Sequence, residues 1–239
     1  VAGTANYKGS EVIKSFVIEK AEVSAPKVDS KDYTGEGITA DIETSDLYKV
    51  VTNNGGTNVG KYEVVLKLTD SSNYKWNDTV DETTTLEFEI TQATTTISNL
   101  AISNWTYNET AQTPTSSTNF GEVVYTYSTS ESGEYTNVVP TNAGTYYVKA
   151  SVAGTTNYTE AETIRSFVIE KAKVSAPTIS SKVYTGLTLT ADVEENSLYE
   201  VTTNNGGINV GKYDVVLTLT DSSNYKWTDT EDETTSLEF

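Results

Sequence analysis

Residues 1–88 align with residues 152–239 at a constant offset of 151 and without a gap, and 62 of the 88 aligned positions are identical. A repeat of that length excludes one large core assembled from unique segments, because each period must close around its own apolar interior. The differing positions cluster at Glu36-Gly37 against Leu187-Thr188 and at Thr44-Ser45-Asp46 against Glu195-Asn196-Ser197. Tyr62, Val64, Leu66, Leu68, Leu86 and Phe88 return unchanged as Tyr213, Val215, Leu217, Leu219, Leu237 and Phe239. Loops have drifted, and an alternating apolar set has not. Val51, which becomes Thr202, and Val80, which becomes Glu231, are expected to face water.

A fainter likeness divides the period. Asn58-Val-Gly-Lys-Tyr62 followed by Asn73-Tyr74 matches Asn142-Ala-Gly-Thr-Tyr146 followed by Asn157-Tyr158 at the same internal spacing. Each half then runs into an alternating segment ending in alanine, at Ala93 and at Ala172. The period therefore reads as two diverged domains: a shorter type over 21–92 and a longer type over 93–171. Residues 1–20 read as the C-terminal hairpin of a partial longer-type domain, and 172–239 as a shorter-type domain truncated at its last strand. The whole looks like a slice of a longer array.

Period-two alternation dominates and helical periodicity is absent. In KYEVVLKLTD, Tyr62, Val64, Leu66 and Leu68 share one face while Glu63, Lys67 and Thr69 share the other; Leu86, Phe88 and Ile90 do the same in TTLEFEI. Turn clusters such as Asn53-Asn54-Gly55-Gly56 and Asp70-Ser71-Ser72-Asn73 separate such runs. Six or seven short strands in each stretch of this size predict small antiparallel β-sandwiches.

The segment Asn142-Ala-Gly144-Thr-Tyr146-Tyr-Val148 resembles the D-x-G-x-Y-x-C stretch of immunoglobulin domains, with Val148 in the cysteine position. Asn58 to Val64 and Asn209 to Val215 repeat it. The resemblance implies a corner at Tyr62, Tyr146 and Tyr213, each hydroxyl bonding back to the backbone. Tyr107 to Pro114, VVYTYS, PTNAGTYYVKASVAGTTNY and SFVIEKA are together similar to the bacterial immunoglobulin-like tandem repeats grouped as MBG or YGX-type, found in large cell-surface and adhesin proteins. That resemblance implies an all-β chain of tandem immunoglobulin-like antiparallel sandwiches in an extended rod. Glu109 stands where the family pattern has glycine, which leaves the opening turn to be fixed by other means. The shorter unit carries related turns at Tyr33-Thr-Gly35 and Tyr184-Thr-Gly186.

Composition narrows function further. The chain has no His, Cys or Met, so nucleophile pairs built on histidine and the usual zinc ligands are excluded. Sixteen Lys and Arg against 34 Asp and Glu give a net charge of −18, which repels phosphate backbones and anionic headgroups. Nucleic-acid partners and membrane insertion of this segment are not expected, and no cofactor is needed.

Three constellations could still carry chemistry. Asp70, Asp78, Asp81 and Glu82 recur as Asp221, Asp229, Asp232 and Glu233 and are the calcium candidates; solvated acidic loops that discourage edge-to-edge pairing are the alternative. Trp76, Trp105 and Trp227 are candidate ligand contacts, weighed against a role in core packing. Lys20, Lys31, Lys61 and Lys75 all recur, and any of them could enter an isopeptide crosslink if an Asn or Asp lay beside it.

These features lead to a structural spacer or stalk segment of a repetitive extracellular bacterial surface protein or fibre, not an enzyme, projecting a distal binding region from the cell. The alternative is an adhesive module in which loop aromatics bind glycan or host protein. The expected partners are neighbouring repeats of the same chain and other copies in a fibre.

Overall fold

The computed structural model describes residues 1–239 and is all-β, with several sheets and no helix. The chain forms two compact units, one comprising residues 1–94 with 155–159 and the other residues 95–154 with 160–239.

In the first unit, the strands are β1 (Ala21–Val23), β2 (Lys31–Asp32), β3 (Tyr48–Asn53), β4 (Gly60–Leu68), β5 (Tyr74–Trp76) and β6 (Thr83–Thr91). The four-stranded sheet has the order β2-β6-β4-β3, and β1 pairs separately with β5. Strand β4 is central, and its register sets Tyr62 opposite Phe88 and Gly60 opposite Ile90. The apolar positions of both strands consequently fall on one face, where Val64, Leu66, Leu68, Phe88 and Ile90 are buried. Val23 and Trp76 sit opposite each other in the β1–β5 pair and cover that face as part of the same core. The β3–β4 register shifts between Val50 and Thr52, leaving Val51 as a bulged, 55% exposed residue. Its counterpart Thr202 occupies the same kind of shift. A bulged residue has no ladder partner to satisfy, so valine and threonine serve equally there.

The second unit holds two cores. The strands of the first are β7 (Ile97–Ala101), β8 (Trp105–Thr106), β9 (Thr115–Thr118), β10 (Val124–Ser128), β11 (Gly144–Val152) and β12 (Ala161–Glu170). They form a sheet of order β10-β11-β12-β8 and a β7–β9 pair. Phe167 is the centre of this core, with Trp105 stacked at 5.1 Å, Tyr146 at 5.8 Å and Tyr127 edge-on at 6.2 Å between ring centroids. The second core uses β13 (Ala172–Val174), β14 (Tyr199–Thr203), β15 (Asp214–Leu219), β16 (Tyr225–Trp227) and β17 (Thr234–Glu238), in a sheet of order β14-β15-β17 and a β13–β16 pair. It repeats the packing of the first unit: Tyr199 lies against Trp227 at 5.6 Å as Tyr48 lies against Trp76 at 5.7 Å.

Two expectations need correction, and the turn left open at Glu109 is resolved. The sheets are not purely antiparallel: β1–β5, β2–β6, β8–β12 and β13–β16 run parallel. Each involves a strand of two or three residues reached by a long connection, and only a tight hairpin forces neighbouring strands to reverse. The hairpin expected over residues 1–20 is reduced to one bridge between Thr4 and Tyr7, and every residue of the segment is exposed. Phe16 and Ile18 are 85% and 86% exposed where their counterparts Phe167 and Ile169 are buried, and two strands with nothing to bury an apolar face against are not stable alone in water. Glu109 does not take the left-handed turn conformation that Gly35 adopts at φ 87°; Asn108, one residue earlier, adopts it at φ 68°. Asparagine tolerates that region, and the Glu109 amide then reaches the Thr106 carbonyl at 3.0 Å.

Candidate functional site

The three Asn-x-Gly-x-Tyr segments fold alike. The Tyr62, Tyr146 and Tyr213 hydroxyls donate to the carbonyls of Asn58 (2.7 Å), Asn142 (3.0 Å) and Asn209 (2.7 Å). Each bond closes a loop of five residues, which holds the amide of the second residue in a fixed direction. Two of these three corners receive a loop from elsewhere in their own unit.

In the first unit the loop is Thr155 to Thr159. The Thr155 hydroxyl accepts the amides of Asn157 (3.3 Å) and Tyr158 (3.1 Å), and the Thr155 amide donates to the Tyr158 carbonyl (2.9 Å). Ala93, just past the end of β6, bridges to this loop: its amide donates to the Asn157 carbonyl and its carbonyl accepts from Thr159. The Gln92 side chain donates to the Thr155 carbonyl at 2.8 Å. The Asn157 side chain then clamps the corner, its Oδ1 accepting the Val59 amide at 3.0 Å and its Nδ2 donating to Asn58 Oδ1 at 3.0 Å. Tyr158 meets Tyr33 edge to face at 5.4 Å.

In the second unit the loop is Asp221 to Tyr225, and almost every contact recurs. The Ala172 amide donates to the Asn224 carbonyl at 2.9 Å, and Lys171 Nζ donates to the Ser222 carbonyl at 2.6 Å. Asn224 Oδ1 accepts the Ala143 amide at 2.8 Å, and Tyr225 meets Tyr107 edge to face at 5.3 Å. Asn108 Nδ2 adds a bond to the Tyr225 hydroxyl at 2.6 Å. Here a carboxylate one position earlier in the loop takes over from the threonine hydroxyl: Asp221 Oδ1 accepts the Ser223 and Asn224 amides, while Oδ2 accepts Asn224 Nδ2 at 2.8 Å. That side-chain bond, supported by the two amides and Lys171 and opposed by desolvation, holds the Asp221 carboxyl below the ordinary aspartate range. Asn224 is 7% exposed, with its polar atoms satisfied.

The inner half of this arrangement occurs a third time. The Ala21 amide donates to the Asn73 carbonyl at 2.9 Å, Lys20 Nζ donates to the Ser71 carbonyl at 2.6 Å, and Asp70 accepts the Ser72 and Asn73 amides. The joint is thus a lock made of one asparagine amide, one tyrosine edge and one anchoring side chain just before an alanine. Its action is to fix orientation across a connection of one residue, Lys171 between β12 and β13.

The residues singled out from sequence are placed as follows. Asp70 caps its own turn, Asp78 accepts from Thr84, Asp81 pairs with Thr79, and Glu82 takes Lys67 and Ser71. In the second copy Glu233 supplies a carbonyl to Trp227, and Asp232 accepts from Thr230. Neither copy, Asp229 included, gathers three or more of its carboxylates into a metal-ligand set. Trp76, Trp105 and Trp227 are 1%, 6% and 2% exposed, so they fill cores and offer no ring face to a ligand. Lys31 pairs with Asp41, Lys61 with Glu87 and Lys75 with Glu22, while Lys20 bonds the Ser71 carbonyl. The locking residues Asn157, Asn224, Tyr33 and Tyr107 were not among the candidates. Their signal was the Asn-Tyr pair that follows each corner at constant spacing.

No family model and no curated protein matches the sequence. Among solved structures the chain is similar to Drosophila N-cadherin EC1-4, at 11% identity and a TM-score of 0.24 over 95% of this chain and 73% of that one. It is also similar to BT4661, a SusE-like surface-located polysaccharide-binding protein from the Bacteroides thetaiotaomicron heparin utilisation locus, at 11% identity and a TM-score of 0.21 over 77% of this chain and 41% of that one. Superpositions this distant assign neither a family nor a function. No helix is long and apolar enough to cross a membrane.

Proposed function

We propose that the chain is a spacer segment of a repetitive extracellular bacterial surface protein or fibre, made of tandem immunoglobulin-like modules of the MBG or YGX kind. It acts mechanically, carrying a distal binding region away from the cell, and neighbouring repeats of the same chain are its first partners. The observation that supports this reading is the recurrence of one lock in both units, on modules whose sequences have diverged. A one-residue connection limits the angles two modules can adopt, and an asparagine clamp with a tyrosine edge selects among those that remain. Selection for reach, not for a reactive group, accounts for conserving such a joint between unlike modules. The adhesive alternative loses the three indole rings on which it was founded, since all are buried.

Small-angle scattering tests the proposal. At roughly 3.4 Å per strand residue, each module spans about 35 Å, so three in line give a radius of gyration near 30 Å. A globular chain of this length would give roughly 18 Å. A value near the lower figure ends the spacer reading.

A further inference from the structure

We propose that Tyr184, Asn209, Val210 and Tyr213 form a docking socket whose occupant is a β-module bearing a Thr-Thr-Asn-Tyr loop. In the first unit the matching residues Tyr33, Asn58, Val59 and Tyr62 hold such a loop, Thr155 to Tyr158, through the Val59 amide, the Asn58 carboxamide and the Tyr33 ring. The local sequences are the same in both copies: Asn58-Val-Gly-Lys-Tyr62 equals Asn209-Val-Gly-Lys-Tyr213, and Tyr33-Thr-Gly35 equals Tyr184-Thr-Gly186.

The corner of the socket and the bridge behind it are already built. The Tyr213 hydroxyl bonds the Asn209 carbonyl at 2.7 Å, as Tyr62 does with Asn58. The Leu189–Gly207 bridge behind it reproduces Ile38–Gly56. What differs is coverage, together with the pairing of Lys31–Asp32 with Ile90–Thr91 that holds Tyr33 in the first copy. Val210 is 90% exposed where Val59 is half-buried, and Tyr184 is 59% exposed where Tyr33 is half-buried. Tyr184, Leu189, Val210, Tyr213 and Phe239 help to line a hollow of about 100 Å³.

The rim carries an independent sign of a partner. Thr57 beside the occupied socket is Ile208 in this one, where it lines the hollow and is 51% exposed. A polar residue replaced by an apolar one on an exposed face marks a surface that is to be covered. A partner with this loop would place a carboxamide oxygen on the Val210 amide and a phenol edge on Tyr184. This inference rests on the proposed reading of neighbouring repeats as partners, but its test reads loop recognition at one amide and not the extended shape.

The experiment extends the chain after Phe239 with a second copy of residues 89–171, which keeps the register because Phe239 corresponds to Phe88. Amide hydrogen exchange at Val210 is compared with that at Val59. In the extended chain, Val210 exchange is expected to slow by roughly tenfold or more, toward the Val59 rate. Asn157→Ala in the added copy alone should restore fast exchange, while the buried fluorescence of the added Trp105 shows that module still folded. Unchanged Val210 exchange beside a folded added module overturns the proposal. So does a concentration-dependent dimer of the unextended chain that Asn6→Ala abolishes, because the occupant would then be the Thr4–Tyr7 loop of a second copy.

Discussion

Asn224 Oδ1 accepts the amide of Ala143 at 2.8 Å, although the two residues belong to successive modules with different sequences. The bond is made at a 7% exposed side chain, so removing it leaves the partly buried Ala143 amide without its acceptor and takes one of three bonds from the Asp221 carboxylate. Asn224→Ala is therefore expected to cost about 1–3 kcal/mol in the unfolding of residues 172–239. It should also speed Ala143 amide exchange. Asn73→Ala removes the equivalent side chain where it is exposed and bonded only to Asp70, and should cost a few tenths of a kcal/mol. Equal costs for the two would mean that the lock contributes nothing.

Gly56 lies under the Tyr62 ring. A Cβ at Gly56 would sit 2.0 Å from Tyr62 Cζ, and one at Gly207 would sit 2.0 Å from Tyr213 Cζ, so the ring must leave its corner. Gly55→Ala meets a harder obstacle, with φ at 57° and the Ile38 carbonyl oxygen 1.8 Å from the new carbon. Both substitutions are expected to destabilise the module by about 2–4 kcal/mol. Gly37→Ala, with nothing within 4 Å, should be neutral or slightly stabilising. Urea unfolding of the three variants ranks them, and a harmless Gly56→Ala would show that the ring does not need its place.

Much of this was legible in the chain. Alternation in KYEVVLKLTD identified Val64, Leu66 and Leu68 as interior, and the position drifting from Val51 to Thr202 as exposed, because side-chain period reports which face a residue occupies. Period does not report which strand lies alongside. The parallel β1–β5 and β8–β12 pairs involve two or three residues each, too few to show a pattern. Trp76 could not be assigned to core or surface for the same reason: β5 is three residues long, and its inward face is set by Val23, 53 positions earlier. The lock depends on side chains reaching backbone groups about 80 to 100 residues away, as Asn157 reaches Val59, and only the repeated Asn-Tyr spacing hinted at it.

The two locks should respond differently to acid. Asp221 organises the loop of the second unit, and its carboxyl is held below the ordinary value, first by the Asn224 side-chain bond. A depressed folded value means the stabilisation is fully present above the ordinary aspartate pKa of about 3.9 and is lost as pH falls through the lower folded value. In the first unit the neutral Thr155 hydroxyl accepts the amide of the clamping asparagine instead. Between pH 5 and 8 neither lock should change, there being no histidine to titrate. Below about pH 3.5 the exchange protection of Ala143 should fall relative to that of Val59 measured at the same pH, and Asp221→Asn should remove the difference. Parallel loss at both amides would refute a role for Asp221.

Trp227 completes the argument about ligand contact, because its indole is 2% exposed and its Nε1 donates to the Glu233 carbonyl at 3.1 Å, as Trp76 does to Glu82 at 3.2 Å. A ring in that position contributes packing and a second bond to a carbonyl that already accepts the Leu219 amide. Trp227→Ala should cost about 3–5 kcal/mol and melt its own module first, whereas a solvent-facing ring would cost within roughly 0.5 kcal/mol. Acrylamide should quench all three tryptophans weakly in the native chain and strongly in urea. A native chain whose fluorescence is quenched as readily as free indole, or shifts on adding soluble glycan, would return these residues to the surface and reopen the adhesive reading.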